Sequence, residues 1–239
     1  MAEQIIVANM ETHSGSLPGT SHAAPLAARR YPVDVSIEPQ LGNRNRLTTF
    51  FRPFLALPHL LLVGGPAAFA TLWNRTDGAG LQLGAGAGAL GAVAGVCAVI
   101  AWFAIVFGAS HPTELWKLTA FYLRWRVRAV AYFALLRDEY PPFGDGEYPV
   151  TLQLEPPDEA RNRLSVAFRP ILAIPHFIVL WVLGIAWAIA TIIAWFSILI
   201  WGSYPEPLSR FAAGVLRWGT RVEAYVLLLR DEYPPFSLE

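Results

Sequence analysis

The sequence predicts an all-α integral membrane protein of two tandem repeats. Each repeat is expected to be a transmembrane helical hairpin followed by an interfacial amphipathic helix, with a small antiparallel β element at the cytoplasmic surface. Three observations predict this. First, the chain repeats itself. Tyr31-Pro32-Val33 and Tyr148-Pro149-Val150 open the copies, and Arg52, Pro53, Pro58 and His59 recur as Arg169, Pro170, Pro175 and His176. Both copies close on Arg-Asp-Glu-Tyr-Pro-Pro-Phe, at Arg137 to Phe143 and Arg230 to Phe236. Second, each copy holds apolar runs of the length a hydrocarbon core demands, about 20 helical residues for roughly 30 Å. Third, 15% of the 239 residues are charged and 54% are hydrophobic, whereas soluble domains carry roughly 25% charge. Self-similarity of this kind sets the architecture before any local assignment.

The repeats divide the chain. Residues 1–30 hold Ser14, Gly15, Ser16, Pro18, Gly19 and Pro25, a composition that predicts a disordered tail. No basic segment followed by an apolar one marks a signal peptide there. Repeat 1 is expected over 31–147 and repeat 2 over 148–239. The copies align at an offset of 117 up to His59 and His176, and of 93 beyond Trp102 and Trp195. The difference, 24 residues, is read as a Gly-rich insertion at about 74–95. Its small-xxx-small spacing suits close helix approach in lipid. A phosphate loop is excluded, since no Gly-Lys-Ser/Thr follows.

Copy one offers two spans, Phe54 to Trp73 and about Leu90 to Phe107, around a polar turn at Asn74 to Gly78. Copy two offers one uninterrupted run, Ile171 to Trp201. Arginines flank these runs on both sides: Arg44, Arg46 and Arg52 before and Arg124 to Arg137 after, then Arg161, Arg163 and Arg169 before and Arg210 to Arg230 after. Positive residues collect on the cytoplasmic side, so an even number of crossings is expected. Both termini are then cytoplasmic, in the inner (cytoplasmic) membrane. Copy two is accordingly read as a hairpin turning near Gly184, with one long helix as the alternative. Pro53 and Pro170 suit a first helical turn, and Pro58 and Pro175 a kink.

After each run comes a regular amphipathic segment. Lys117, Arg124 and Arg128 share one stripe at 3.6 residues per turn, as do Arg210, Arg217 and Arg221. Such stripes suit a helix lying among lipid headgroups, and these six are the candidate headgroup contacts. Two charges break the pattern: Arg126 and Glu223 face the apolar sides, where their counterparts are Gly219 and Val130. An unpaired charge there is costly, so the two are expected to pair across the repeats, with a charge swap restoring stability.

Val33 to Glu38 and Val150 to Glu155 alternate apolar and polar residues, the signature of half-buried strands. Asp145-Gly146 between the copies signals a hairpin, and Phe236 to Leu238 could add a third strand. The remaining polar candidates are Arg52, His59, Arg169 and His176, with Asp138 and Asp231 beside Arg137 and Arg230. No HxxxH or ExxH spacing organises them for a metal, and no Gly-x-Ser-x-Gly elbow appears. No metal, cofactor or catalytic residue is expected. Net charge is zero, which argues against nucleic acid. The single cysteine, Cys97, reads as a packing residue.

The repeated Arg-Leu…Phe-Arg…Pro-His, the Trp-Phe near each run's end and the Asp-Glu-Tyr-Pro-Pro-Phe closure resemble a bacterial and archaeal membrane family described as domain of unknown function 4389. The resemblance covers Arg46 to Phe143 and Arg163 to Phe236. It implies a membrane location and no particular activity. Plentiful packing devices and interfacial anchors with no catalytic constellation set the expectation of a non-catalytic structural or accessory subunit of a larger membrane complex, or a homo-oligomer. Its partners would be membrane lipids and other membrane subunits or itself. A transporter of a small molecule, ion or lipid, with its site between the repeats, is the alternative.

Overall fold

The computed structural model describes residues 31–65, 88–108, 110–156 and 161–239. The expected tail, 1–30, the polar turn, 74–78, and the insertion up to residue 87 lie outside the described residues. Strand β1 is Val33–Ile37 and helix α1 is Arg46–Val63. Helices α2, Gly88–Gly108, and α3, Thr113–Phe133, complete repeat 1. Repeat 2 holds β2, Val150–Leu154, α4, Arg163–Trp201, and α5, Glu206–Val226. The described chain is thus mostly helical with one small sheet.

β1 and β2 pair antiparallel, Val33 opposite Leu154 and Ile37 opposite Val150. Their inward residues Val33, Val35, Val150 and Leu152 are buried, as period-two alternation requires. Two expectations need correction here. Asp145-Gly146 closes no hairpin, because the strands it would join are separated by α1, α2 and α3. Phe236 to Leu238 adds no strand; those residues pack as loop.

Copy two is not a hairpin. α4 runs 39 residues without a break, through Pro170, Pro175 and Gly184. Proline removes a ladder bond without ending a helix whose other contacts hold it. α1 and α2 together are its counterpart. Val63, the last residue of α1, matches Leu180 at the offset of 117, and Gly88, the first of α2, matches Trp181 at the offset of 93. Residues 64–87 therefore stand where α4 has none, which places the break earlier than the expected 74–95. Gly88 abuts the end of α1: with φ +73°, a Cβ there would lie 2.5 Å from Gly64 N and 2.6 Å from Leu62 O.

The pseudo-twofold is visible in single bonds. Asn45 Oδ1 caps α1 through Leu47 N and Thr48 N, and Asn162 Oδ1 caps α4 through Leu164 N and Ser165 N. Such caps satisfy backbone donors that no helical carbonyl reaches. Trp102 Nε1 donates to Val166 O and its counterpart Trp195 Nε1 to Thr49 O, both at 3.0 Å. These bonds tie α2 to the start of α4 and the end of α4 to α1.

One face of α4 is buried from end to end, at Val166, Ala173, Leu180, Ala190, Ala194 and Ile198. The opposite face carries Leu164, Phe168, Ile178, Ile185, Ile192 and Ile200, all exposed. α1 shows the same outward stripe in Leu47, Phe54 and Leu61, and α2 in Val96, Phe103 and Phe107. Contiguous exposed apolar surface of this extent marks contact with something other than water. By length and composition α2 and α4 could each cross a membrane. α3 and α5 behave differently. They are buried around much of their circumference, between the apolar helices on one side and the β1–β2 ribbon on the other.

Candidate functional site

Each repeat builds the same polar clamp where its apolar helix meets its closing motif. α3 and α5 end in a tight turn in which Leu136 N donates to Ala131 O and Leu229 N to Ala224 O. That turn forces Leu135 and Leu228 to φ +64° and +62°, a conformation usually left to glycine. Both leucines are buried, so packing holds them there. The turn also aims their carbonyls at arginine: Leu135 O accepts from Arg44 Nη2, and Leu228 O from Arg161 Nη1 at 2.9 Å.

Around each turn the charges close. Asp138 Oδ1 takes Arg44 Nη2 at 2.8 Å and Arg52 Nη2 at 2.6 Å. Asp231 Oδ1 takes Arg161 Nη1 at 3.3 Å and Arg169 Nη2 at 2.8 Å. Arg52 Nη1 also donates to Arg137 O at 2.7 Å, and Arg169 Nη1 to Arg230 O at 2.9 Å. The guanidiniums lie 4.6 and 4.4 Å from the ring centres of Tyr132 and Tyr225, a favourable cation–π placement. Burial pulls Arg44 down to about 10, against the opposing pull of Asp138. Asp138 and Asp231 are thus the counter-ions of Arg52 and Arg169, not of their neighbours Arg137 and Arg230. Those neighbours reach the strands instead, Arg137 to Glu38 O and Arg230 to Glu155 O, both at 2.9 Å. They also fork onto Glu139 and Glu232. Burial would raise those two carboxyls, but the arginine hydrogen bonds hold both below the ordinary glutamate range.

Two turns along, each histidine sits in an aromatic cage. His59 Nδ1 accepts from Trp125 Nε1 at 3.0 Å, and His176 Nδ1 from Trp218 Nε1 at 3.3 Å. Phe143 stacks on His59 at 4.3 Å and Phe236 on His176 at 4.0 Å. Tyr140 and Tyr233 tilt against the same rings at 4.9 and 4.8 Å. The Arg-x6-His of each apolar helix is therefore the receptor for Asp-x-Tyr-Pro-Pro-Phe of the same repeat. Proline keeps that segment extended, so the aspartate docks on the arginine while the tyrosine and phenylalanine both dock on the histidine two turns further along.

The cross-repeat pair forms. Arg126 Nε donates to Glu223 Oε2 at 2.8 Å, with side-chain exposures of 3% and 14%. Arg126 also donates to Val63 O at 2.7 Å and Gly65 O at 3.0 Å, and Tyr122 Oη to Glu223 Oε1 at 3.1 Å. One ion pair thus joins α3, α5 and the broken end of α1.

The cationic stripes divide. Lys117 and Arg210 are exposed and pair within their own helices with Glu114 and Glu206. Arg124 is half-buried. Arg217 Nε donates to Val35 O at 3.1 Å. Arg128 and Arg221 are buried, donating to Gly144 O at 3.0 Å and Ser237 O at 3.3 Å. The ribbon and the loops after each closing motif supply the carbonyls these three bond. Among the described residues no group of three His, Cys, Asp or Glu is placed to hold a metal ion. A cavity of about 340 Å³ opens between the repeats, lined by Arg52, Phe133, Leu135, Thr191, Trp195 and Phe196 among others.

A duplicated helical protein, each half locked by an Arg–His helix and its own closing motif, is the class that fold and site define. The family model described as "Domain of unknown function (DUF4389)" matches residues 85–144 and 163–237, more than half of the chain. The chain belongs to this family, with two copies of its domain. The first match starts just before α2 and omits α1, which the break at 64–87 separates from the rest of repeat 1. No curated protein and no solved structure matches the chain.

Proposed function

We propose that this protein is a membrane-embedded, non-catalytic accessory subunit that scaffolds a larger membrane complex or its own oligomer. The arginine flanks favour the cytoplasmic membrane with both termini on the cytoplasmic side. One observation carries the reading: the repeated ionisable groups of the two clamps are engaged internally. Arg52, Arg169, Asp138 and Asp231 neutralise one another, and His59 and His176 are locked by tryptophan and phenylalanine. What faces outward is apolar, on α1, α2 and α4. A surface of that chemistry supports packing against lipid and other membrane helices. The test is purification from native membranes in mild detergent, with the mass of the particle measured. A stoichiometric partner or a defined homo-oligomer is expected. A monomer with no partner at any detergent concentration would count against scaffolding.

The cavity between the repeats favours a second reading, transport. Carriers place substrate at such interfaces. Its lining is apolar except for Arg52, Thr191 and the Trp195 indole, which bond Asp138, Trp187 O and Thr49 O. An acyl chain or another apolar molecule suits that lining better than an ion. Flux through proteoliposomes of the pure protein would support this reading over the first.

A further inference from the structure

We propose that α1, α2 and α4 lie along one face of the bilayer rather than crossing it, so that the protein is embedded in a single leaflet with that leaflet's acyl chains covering the apolar stripe. This deepens the membrane reading above and rests on it. α4 is fastened at both ends. At its start, Arg161 and Arg169 bind Asp231, and the adjacent Arg230 holds Glu155 O and Pro156 O. At its end, Gly202 O accepts from Arg44 N, Arg44 pairs with Asp138, and the adjacent Arg137 holds Glu38 O. Glu155 and Glu38 lie at opposite ends of one ribbon of five paired residues, roughly 17 Å long at about 3.4 Å per residue.

An open two-stranded ribbon has unpaired edges and cannot lie in hydrocarbon. It marks the polar side of the molecule, and both ends of α4 are fastened to that side. The broken pair behaves alike. Asn45, the cap of α1, donates its own N–H to Asp138 in the first clamp. Past the end of α2, Trp116 Nε1 donates to Leu229 O beside the second clamp.

The layer beneath supports the same geometry. α1 and α4 rest on α3 and α5 through His59–Trp125 and His176–Trp218. Those lower helices carry Arg124, Arg126, Arg128, Arg217, Arg221 and Glu223. A perpendicular crossing of α4 would take this layer into hydrocarbon with it, and charges there are strongly disfavoured. Arg46 and Arg163, at the starts of α1 and α4, are exposed beside Leu47 and Leu164, which are 69% and 71% exposed. A cation next to an outward leucine fits the boundary between headgroups and acyl chains. In this arrangement both cations reach the same leaflet, which replaces the hairpin topology expected from the sequence.

The test uses the full chain in a Cys97→Ala background, with single cysteines at Arg163 and Ser203 on either side of α4, at Arg46, and at the exposed Val182 mid-helix. Membrane-impermeant maleimide is applied to sealed right-side-out and inverted vesicles. Arg163→Cys, Ser203→Cys and Arg46→Cys are expected to label from the same side. A nitroxide on Val182→Cys is expected within one leaflet, no deeper than about 15 Å, half of the hydrocarbon thickness. Labelling of Arg163→Cys and Ser203→Cys from opposite sides overturns the proposal, and so does a Val182 probe beyond the midplane. Release of the protein by alkaline carbonate is a separate result that overturns the membrane reading itself.

Discussion

Replacing Glu223 with glutamine leaves Arg126 charged, 3% exposed and without a counter-ion. Two of its donors keep carbonyl partners at Val63 and Gly65, so desolvation is only partly offset. Breaking a buried pair from one side costs about 3–5 kcal/mol, and the retained carbonyls put this case near the low end, about 3 kcal/mol. At about 2–4 °C per kcal/mol for a chain of this size, Tm should fall by about 6–12 °C. Differential scanning fluorimetry in detergent reads it. Arg126→Met strands Glu223 with Tyr122 alone and should cost less, since Glu223 is 14% exposed. In the double variant the two losses should be strongly non-additive, by about 2 kcal/mol. The charge swap behaves differently from the sequence expectation. A glutamate at 126 would face the Val63 and Gly65 carbonyls, acceptor against acceptor, so the swap should recover only part of the loss. A Glu223→Gln shift under 2 °C, or strictly additive losses, would refute the reasoning.

Three further outcomes are expected. Arg169→Lys keeps the charge but cannot reproduce the fork onto Tyr225 O, Arg230 O and Asp231, and should lower stability by about 2 kcal/mol, read as a drop in Tm with unchanged membrane insertion. Gly88→Ala should destabilise by more than 1 kcal/mol, because its Cβ would meet backbone at 2.5 Å at a positive φ; Gly95→Ala, with nothing within 4 Å, should be neutral or stabilising in the same melt. Acid should loosen the closing motifs. Glu139 and Glu232 have depressed folded pKa values, so their contribution is whole above the ordinary value of about 4.5 and is lost as pH falls below it through the folded value. Tryptophan emission from Trp125 and Trp218 should shift red over that window.

Much of this fold is readable from the chain, for identifiable reasons. The strands show because period two is local. Arg126 and Glu223 stand out because their counterparts, Gly219 and Val130, are uncharged, and α3 and α5 bring them to 2.8 Å. The single helix α4 is not readable, because composition cannot distinguish a long helix from a hairpin of two short ones. The proposed sidedness rests on where Arg161 and Arg44 fasten, and that is tertiary. The partners of Asp138 and Asp231 are missed because an adjacent arginine looks sufficient; only the φ of Leu135 and Leu228, invisible in sequence, turns the chain so that Arg44 and Arg161 arrive. The burial of Arg128 and Arg221 is not readable for a simpler reason. Helical periodicity shows which face is polar, but not whether water, headgroups or the chain's own Gly144 and Ser237 will cover it. The His–Trp contacts leave one usable trace: His59 and His176 recur at a fixed distance from Arg52 and Arg169, as Trp125 and Trp218 do from Asp138 and Asp231.

The central claim is that acyl chains are the solvent of the outward stripe. Trp181 and Trp201 lie on it, 58% and 70% exposed, whereas Trp125 and Trp218 are buried. In proteoliposomes containing nitroxide-labelled acyl chains, fluorescence should be quenched, and most of that quenching should vanish in the Trp181→Phe/Trp201→Phe double variant. Equal quenching in both proteins, or a monodisperse particle in buffer free of detergent with all tryptophans shielded, would contradict it.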